Sequence, residues 1–214
     1  MRGKKPEIKS LYYITHVDNV PSIMRQGILS HRLVQDRGIQ HTPIYDDAIV
    51  GNRGKRNVSG GKSLWEFANV YFQPRNPMLY RVLHEKDAAD IVILGVNARI
   101  LSGAGVFIAL GNAASAETEI LPSAEGLGRL SEIWDAIESD WWNAVDGSKR
   151  KIMAEGLFPG SVSPEDIHTI FVANQDAAER VRTFHPPSAV AVVPEQLLAR
   201  RLDRLGKIPD GRKD

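Results

Sequence analysis

At 214 residues, 43% of them hydrophobic and 25% charged, the chain has the composition of one soluble globular domain large enough to bury a core. A net charge of +1 gives it no strong global field, so any nucleic-acid partner would have to be held by cations gathered locally. Cysteine is absent, which excludes disulfide scaffolds, thiolate zinc sites and cysteine nucleophiles and suits a cytoplasmic location.

No apolar run approaches the roughly 18 to 20 residues of a membrane span. The basic start "MRGKKPEIKS" lacks the apolar segment of a signal peptide. A membrane is therefore not expected among the partners.

In chain order, "LYYITH" (11–16) has the aromatic and β-branched composition of a strand. "VDNVPSIMRQGILS" follows as a short helix, with Asp18 or Asn19 able to cap it, Pro21 in its first turn and Gly27 at its end. Residues 30–63 carry little periodicity but hold several glycines and a basic knot at Arg53, Lys55 and Arg56; a structureless stretch this long inside a compact domain is usually functional or disordered. "FANVYFQP" (67–74) reads as a strand and "PRNPMLYRVLHE" as a proline-bounded turn leading into a helix or loop.

"DIVILGVN" (90–97) suits a strand buried on both faces, and "AGVFIAL" (104–110) suits another. "LGRLSEIWDAIESDWWN" (127–143) predicts an amphipathic helix, with Leu130, Ile133, Trp134, Ile137 and Trp141 three and four residues apart. "KIMAEGLF" resumes as a strand after the break at "GSKR". "IHTIFVAN" (167–174) is a strand, "QDAAERVRTF" a helix, "SAVAVVP" (188–194) a last strand, and "EQLLARRLDRLGK" a helix before a polar tail. Separated short strands and helices without regular alternation indicate the α+β class.

Several familiar sites are missing. The chain has no GxGxxG after a strand, no GxxxxGK[ST] phosphate loop, no HExxH pair and no GxSxG elbow. Its six histidines have no metal-ligand spacing, so no metal is expected. The unusual feature is "SKRKIMAEGLFPG" (148–160), where a lone acid, Glu155, stands on an apolar strand just after three cations. On residues alone, Glu155 either points to water from an edge strand or forms the wall of a pocket, where it could stabilise a cationic transition state or take a proton.

"YYITHVDNVPSI", "VYFQPRNPMLY" and "SKRKIMAEGLFPG", in that order, resemble the DarT family, bacterial toxins that ADP-ribosylate bases in single-stranded DNA. The likeness runs from about residue 10 to 185, and "FQPRNPMLY" is its most specific block. The resemblance implies an ADP-ribosyltransferase-like split β-sheet with flanking helices, which holds NAD without a glycine phosphate loop. It further implies one domain over 1–214, with an NAD-covering loop region at 30–63, a substrate loop at 139–154 and a polar tail at 200–214. The reaction would break the nicotinamide–ribose bond through an oxocarbenium-like centre. The expected partners are single-stranded DNA and a macrodomain antitoxin of the DarG type, with NAD as co-substrate.

By the same likeness, Glu155 and Arg53 are the catalytic candidates, and Glu155→Ala is expected to abolish transfer while sparing the fold. Arg56 is an alternative to Arg53, because the loop aligns in more than one register. Tyr13, Thr15, His16, Asn19, Ile28, Arg56 and Tyr71 are cofactor-binding candidates. Tyr13 stands where the family has a histidine, which leaves the target base open. Arg75, Met78, Tyr80, Lys149 and Arg150 are the DNA-binding candidates, offering a stacking face and cations for phosphates. One of Trp141 and Trp142 flanks the DNA or covers the helix. A transferase acting on RNA or protein, and a non-catalytic module binding single-stranded nucleic acid, remain the alternatives.

Overall fold

The computed structural model describes residues 6–45 and 47–193. The helix expected from "EQLLARRLDRLGK" and the polar tail lie outside the described residues. The first half of the chain gives β1 (Ser10–His16), α1 (Val20–Gln26), β2 (Ile28–Leu29), α2 (His31–Asp36) and α3 (Asp47–Gly54). The middle gives β3 (Phe67–Tyr71), α4 (Pro77–Glu85), β4 (Ile91–Asn97), β5 (Phe107–Ala109) and β6 (Ile120–Pro122). Then come α5 (Ser123–Arg129), α6 (Trp134–Glu138), α7 (Ser148–Lys151) and β7 (Glu155–Pro159). β8 (Ser161–Val162), β9 (Ile167–Val172), α8 (Gln175–Arg182) and β10 (Ala189–Val192) complete the described fold.

Eight strands form one sheet in the order β10-β9-β4-β1-β3-β7-β5-β6, and β2 pairs separately with β8. The sheet is split at its centre. β1 keeps register with β4 along its whole length, from Ser10↔Asn97 to His16↔Ile91, but meets β3 through the pair Tyr12↔Tyr71. On the far side of the split, β3 pairs fully with β7, from Phe67↔Pro159 to Tyr71↔Glu155. The halves therefore diverge on either side of Tyr12 and Tyr71, and a cleft opens between them. This is the α+β split sheet expected from the sequence.

β4 is buried along "IVILGV", as a continuous apolar strand at the centre of a covered sheet should be. Burying such side chains stabilises the fold by about 1.5–3 kcal/mol each. Gly27 ends α1 at φ 85, where a Cβ would meet the Val162 carbonyl oxygen at 2.1 Å; only glycine lets the chain turn there and lie against β8.

Three expectations need correction. The 30–63 region is not structureless: it holds α2 and α3, too short and polar to show a period. The helix over 127–143 is broken, because Ile133 takes φ −122 and ψ 4, outside the helical basin, between a 3-10 turn at Leu130–Glu132 and α6. Leu130 and Ile137 are nonetheless buried, since a 3-10 turn also brings residues three apart to one side. The strand expected from Lys151 starts only at Glu155; Lys151 ends α7, and a turn over 152–154 separates the two. Among the described residues, no helix is long and apolar enough to cross a membrane.

Candidate active site

A cavity of ≈ 1030 Å³ lies in the cleft, walled by β1, β3, α4 and the segments around α2 and α3. Its apolar floor includes Ile14, Ile44, Tyr71 and Val82, which pack with Leu79 in a core of their own. Asn76 caps α4 through its side chain, accepting from the N–H groups of Met78 and Leu79 at 2.9 and 3.2 Å. That bond aims the first turn of the helix, with Pro77, Met78, Tyr80 and Arg81, at the cavity. Gln73, also in the turn, donates to the Ile137 carbonyl at 3.2 Å and ties α4 to α6.

Glu155 opens β7 and is 1% exposed. Its carboxylate accepts from both terminal nitrogens of Arg53, at 3.1 and 3.2 Å, and from the Ala113 N–H at 2.8 Å. A planar guanidinium meeting both carboxylate oxygens is the strongest geometry an ion pair can take. Arg53 forms the cavity wall at this point, and Glu155 lies behind it.

Arg53 is held in place by its neighbours. The Trp65 indole donates to the Val50 carbonyl at 2.8 Å, and its ring lies so close to Gly54 that a Cβ there would sit 2.7 Å from it. Ser63 donates to the Gly54 carbonyl at 3.0 Å, and Ser63 and Glu66 form a capping box around the turn that carries Trp65.

Charge follows from this packing. Burial works against the charge of Arg53, but the adjacent Glu155 carboxylate outweighs it and holds the guanidinium above its ordinary value. Burial, reinforced by Glu155, pushes the Tyr71 hydroxyl well up; it donates to the Met78 sulfur at 3.1 Å. Tyr13 is pushed up to about 12 by burial and by Tyr45, so it offers a neutral hydroxyl at physiological pH. No group of three or more His, Asp or Glu suited to a metal occurs among the described residues.

The sequence model of the family described as "ssDNA thymidine ADP-ribosyltransferase, DarT" matches residues 12–199. The chain belongs to the DarT family. It is 42% identical over 191 residues, 89% of its length, to a DNA ADP-ribosyl transferase-DNA ADP-ribosyl glycohydrolase fusion protein of Thermosipho africanus (strain H17ap60334). It spans about half of that relative, 49% of its length. A solved structure of Thermosipho africanus DarTG in complex with ADP-ribose superposes with a TM-score of 0.82 at 41% identity, covering 89% of this chain and 50% of the other. Thermus sp. 2.9 DarT in complex with NAD+ superposes with a TM-score of 0.74 at 25% identity, covering 90% and 98%.

Within this DarT fold, Tyr13, Thr15, Asn19, Ile28, Arg53 and Tyr71 all line the cavity, as do Met78, Tyr80 and Lys149 from the DNA-side candidates. Besides Glu155, which lies behind Arg53, four candidates do not. His16 ends β1 and turns away, its Nδ1 accepting from the Asp18 N–H at 3.2 Å and its Nε2 lying 3.9 Å from Asp90. Arg75 is half-buried in the turn before α4, where its backbone N–H donates to Gln73.

Arg56 and Arg150 converge instead on Thr118. Arg56 donates to its carbonyl, and Arg150 approaches its hydroxyl at 3.5 Å and Glu117 at 3.5 Å. Burial and the nearby Arg53 charge push the Arg56 guanidinium down. The two arginines brace the 112–119 loop, whose Ala113 N–H holds Glu155; of the two register choices, only Arg53 meets the carboxylate. Sequence reasoning missed His31 and Trp65, whose rings meet on the cavity wall with centroids 4.4 Å apart and planes tilted by 54°, and Asn112 and Arg81. The capping box at "SLWE" is a legible signal for the turn that places Trp65.

Proposed function

We propose that this chain is an NAD-dependent ADP-ribosyltransferase acting on thymidine in single-stranded DNA. The observation that carries the reading is the Arg53–Glu155 pair, buried at the wall of a cavity large enough for a dinucleotide, in a fold shared with a DarT bound to NAD+. NAD supplies the ribosyl carbon from which nicotinamide departs with the bonding electrons.

Arg53 would turn from Glu155 to the pyrophosphate, a second anion that suits a guanidinium fork. That movement uncovers the Glu155 carboxylate toward the cavity, where it stabilises positive charge developing at the ribosyl carbon. As the thymine nitrogen bonds to that carbon, its proton passes to Glu155. Tyr13 and Thr15 present neutral hydroxyls to the ribose side.

Met78, Tyr80 and Lys149 offer an apolar wedge, a stacking ring and a cation for the nucleotide strand. An unpaired strand avoids the few kcal/mol needed to extrude a base from a duplex. Because the Thermosipho relative joins its transferase to a DNA ADP-ribosyl glycohydrolase, we assign this chain a cytoplasmic toxin role opposed by a glycohydrolase of that kind, the macrodomain antitoxin.

The test is incubation with NAD and four polymers: a thymidine-containing oligonucleotide, one lacking thymidine, an RNA of matched sequence, and a protein mixture. Mass spectrometry is expected to find ADP-ribose on the first alone. ADP-ribose on RNA or protein instead would reassign the substrate, and strand binding with no nicotinamide release would leave a binding module.

A further inference from the structure

Asn19 occupies the N-cap position of α1, where an asparagine side chain normally accepts from the first turn, yet it makes no capping bond. Its amide is committed elsewhere. Nδ2 donates to the Thr42 carbonyl at 2.8 Å, and Oδ1 accepts from the Thr42 N–H at 2.8 Å. This is the two-point exchange that one strand residue makes with another. Nδ2 also donates to the Thr15 hydroxyl at 3.1 Å. Only one orientation of the amide satisfies all three bonds, so the network itself fixes which end is nitrogen.

Thr42 belongs to the stretch 39–45 between α2 and α3, which closes one side of the cavity with Ile39, His41, Thr42, Ile44 and Tyr45. Besides the Ile39 N–H, which donates to the Val34 carbonyl at 3.0 Å, two side chains anchor the stretch. Ile44 is 4% exposed in the apolar floor beside Ile14, Tyr71 and Leu79, and Thr42 is held by Asn19.

We infer that Asn19 is a positioning residue, a latch that holds residues 39–45 over the cavity and acts on the dinucleotide through Thr42 and Thr15 rather than by touching it. The inference rests on the NAD reading above. A covering segment already ordered before the ligand arrives spares binding the entropy of ordering it. If the segment is in place for only a fraction of the time, the apparent dissociation constant rises by the inverse of that fraction. A stretch in place about one time in ten without its latch would weaken NAD about tenfold, while chemistry at saturation, set by Glu155 and Arg53, would change little.

The experiment compares the wild-type chain with Asn19→Ala and Asn19→Asp, by calorimetric NAD titration and by steady-state transfer to a thymidine oligonucleotide. Both variants are expected to raise Kd and KM for NAD about tenfold, with kcat falling less than about threefold and the melting temperature little changed, since no helix cap is lost. Asn19→Asp decides between shape and bonding. It keeps the size and the acceptor but sets a carboxylate oxygen against the Thr42 carbonyl, so it must bind NAD no better than Asn19→Ala.

Wild-type affinity in Asn19→Asp would overturn the latch, and so would a collapse of kcat at unchanged KM. Should a variant fail to fold, hydrogen exchange at the Thr42 amide of the wild-type chain decides: protection is expected, and free exchange refutes the inference. A wild-type chain that binds NAD but modifies no DNA would sink the functional reading alone, leaving the Kd comparison to judge the latch.

Discussion

Among the arginine–carboxylate pairs that tie distant parts of this chain together, two networks differ in almost every physical respect. At one end of the sheet, Arg180 on α8 donates to Asp90 at 2.7 Å and bridges to Asp18, with all three side chains 38–49% exposed and His16 beside them. In the cleft, Arg53 and Glu155 meet with 16% and 1% of their side chains exposed. Exposed pairs cost little desolvation and contribute little, about 0–1 kcal/mol. A buried pair must overcome a desolvation penalty of several kcal/mol per ion, and apolar residues of the same volume would often hold the fold as well. The fold thus explains the first network, whereas the second calls for a chemical reason, and the cavity beside it supplies one. The contrast also explains His16, which lies next to Thr15 in sequence but belongs to the exposed network.

The sharpest way to break this comparison is Glu155→Gln, which keeps shape and removes charge. Transfer to a thymidine oligonucleotide is expected to fall on the order of a thousandfold, measured by single-turnover mass spectrometry. The same change strands the Arg53 guanidinium, so urea unfolding should show a loss of roughly 3 kcal/mol. On this geometry Glu155→Ala should cost stability as well as activity, where the resemblance implies a loss of activity alone. A variant that still modified DNA at the parental rate would remove the chemical reason for the buried pair.

Arg53→Lys comes next. An ammonium cannot bond both carboxylate oxygens or grip a pyrophosphate as a fork, so kcat/KM should fall about ten- to hundredfold. An unchanged value would mean that charge alone suffices there.

The strands were legible because burial leaves a compositional mark: "IVILGV" is apolar throughout because both faces of β4 are covered, and the central strands match their expected places within a few residues. Glu155 stood out for the opposite reason, as the one charge in such a run. The cavity-facing elements left no such mark. α3 is eight residues long with little amphipathic character, and its position depends on Trp65 and Ser63, contacts with no period. Arg56 and Arg150 were misplaced for a related reason. Cations in a loop look alike in sequence, and only the fold shows that two of them point at Thr118 while Arg53 points at Glu155.

Smaller effects sharpen the contrast between cavity and surface. Trp141 is 48% exposed yet lines the cavity mouth. Trp141→Ala should raise KM for the oligonucleotide about tenfold, the loss of one stacked base at about 1–3 kcal/mol, while calorimetry finds NAD affinity unchanged. Tyr13 provides a pH test of burial. Its hydroxyl lies at about 12 when folded, against 10.0 for an unburied tyrosine, so the folded state favours the proton. Its contribution is full below pH 10 and is lost as pH rises through 12. Tyr13→Phe should therefore soften the alkaline fall in melting temperature over that window and leave it unaltered at pH 7.

The smallest effect is expected at Arg180, and it bears most directly on the opening contrast. Arg180→Ala removes both bridges at once, yet with every partner well exposed the loss of stability should stay within about 1 kcal/mol. Most of that loss should vanish near 1 M salt, where screening shortens to about 3 Å. Transfer activity should match the parent, because neither Asp18, Asp90 nor Arg180 lines the cavity. Melting curves at low and high salt, read beside the oligonucleotide assay, check both halves. A large drop in activity with little change in melting would mean that the α8 end of the sheet sets the shape of the cleft through His16 and Thr15, and the two networks could no longer be treated as independent.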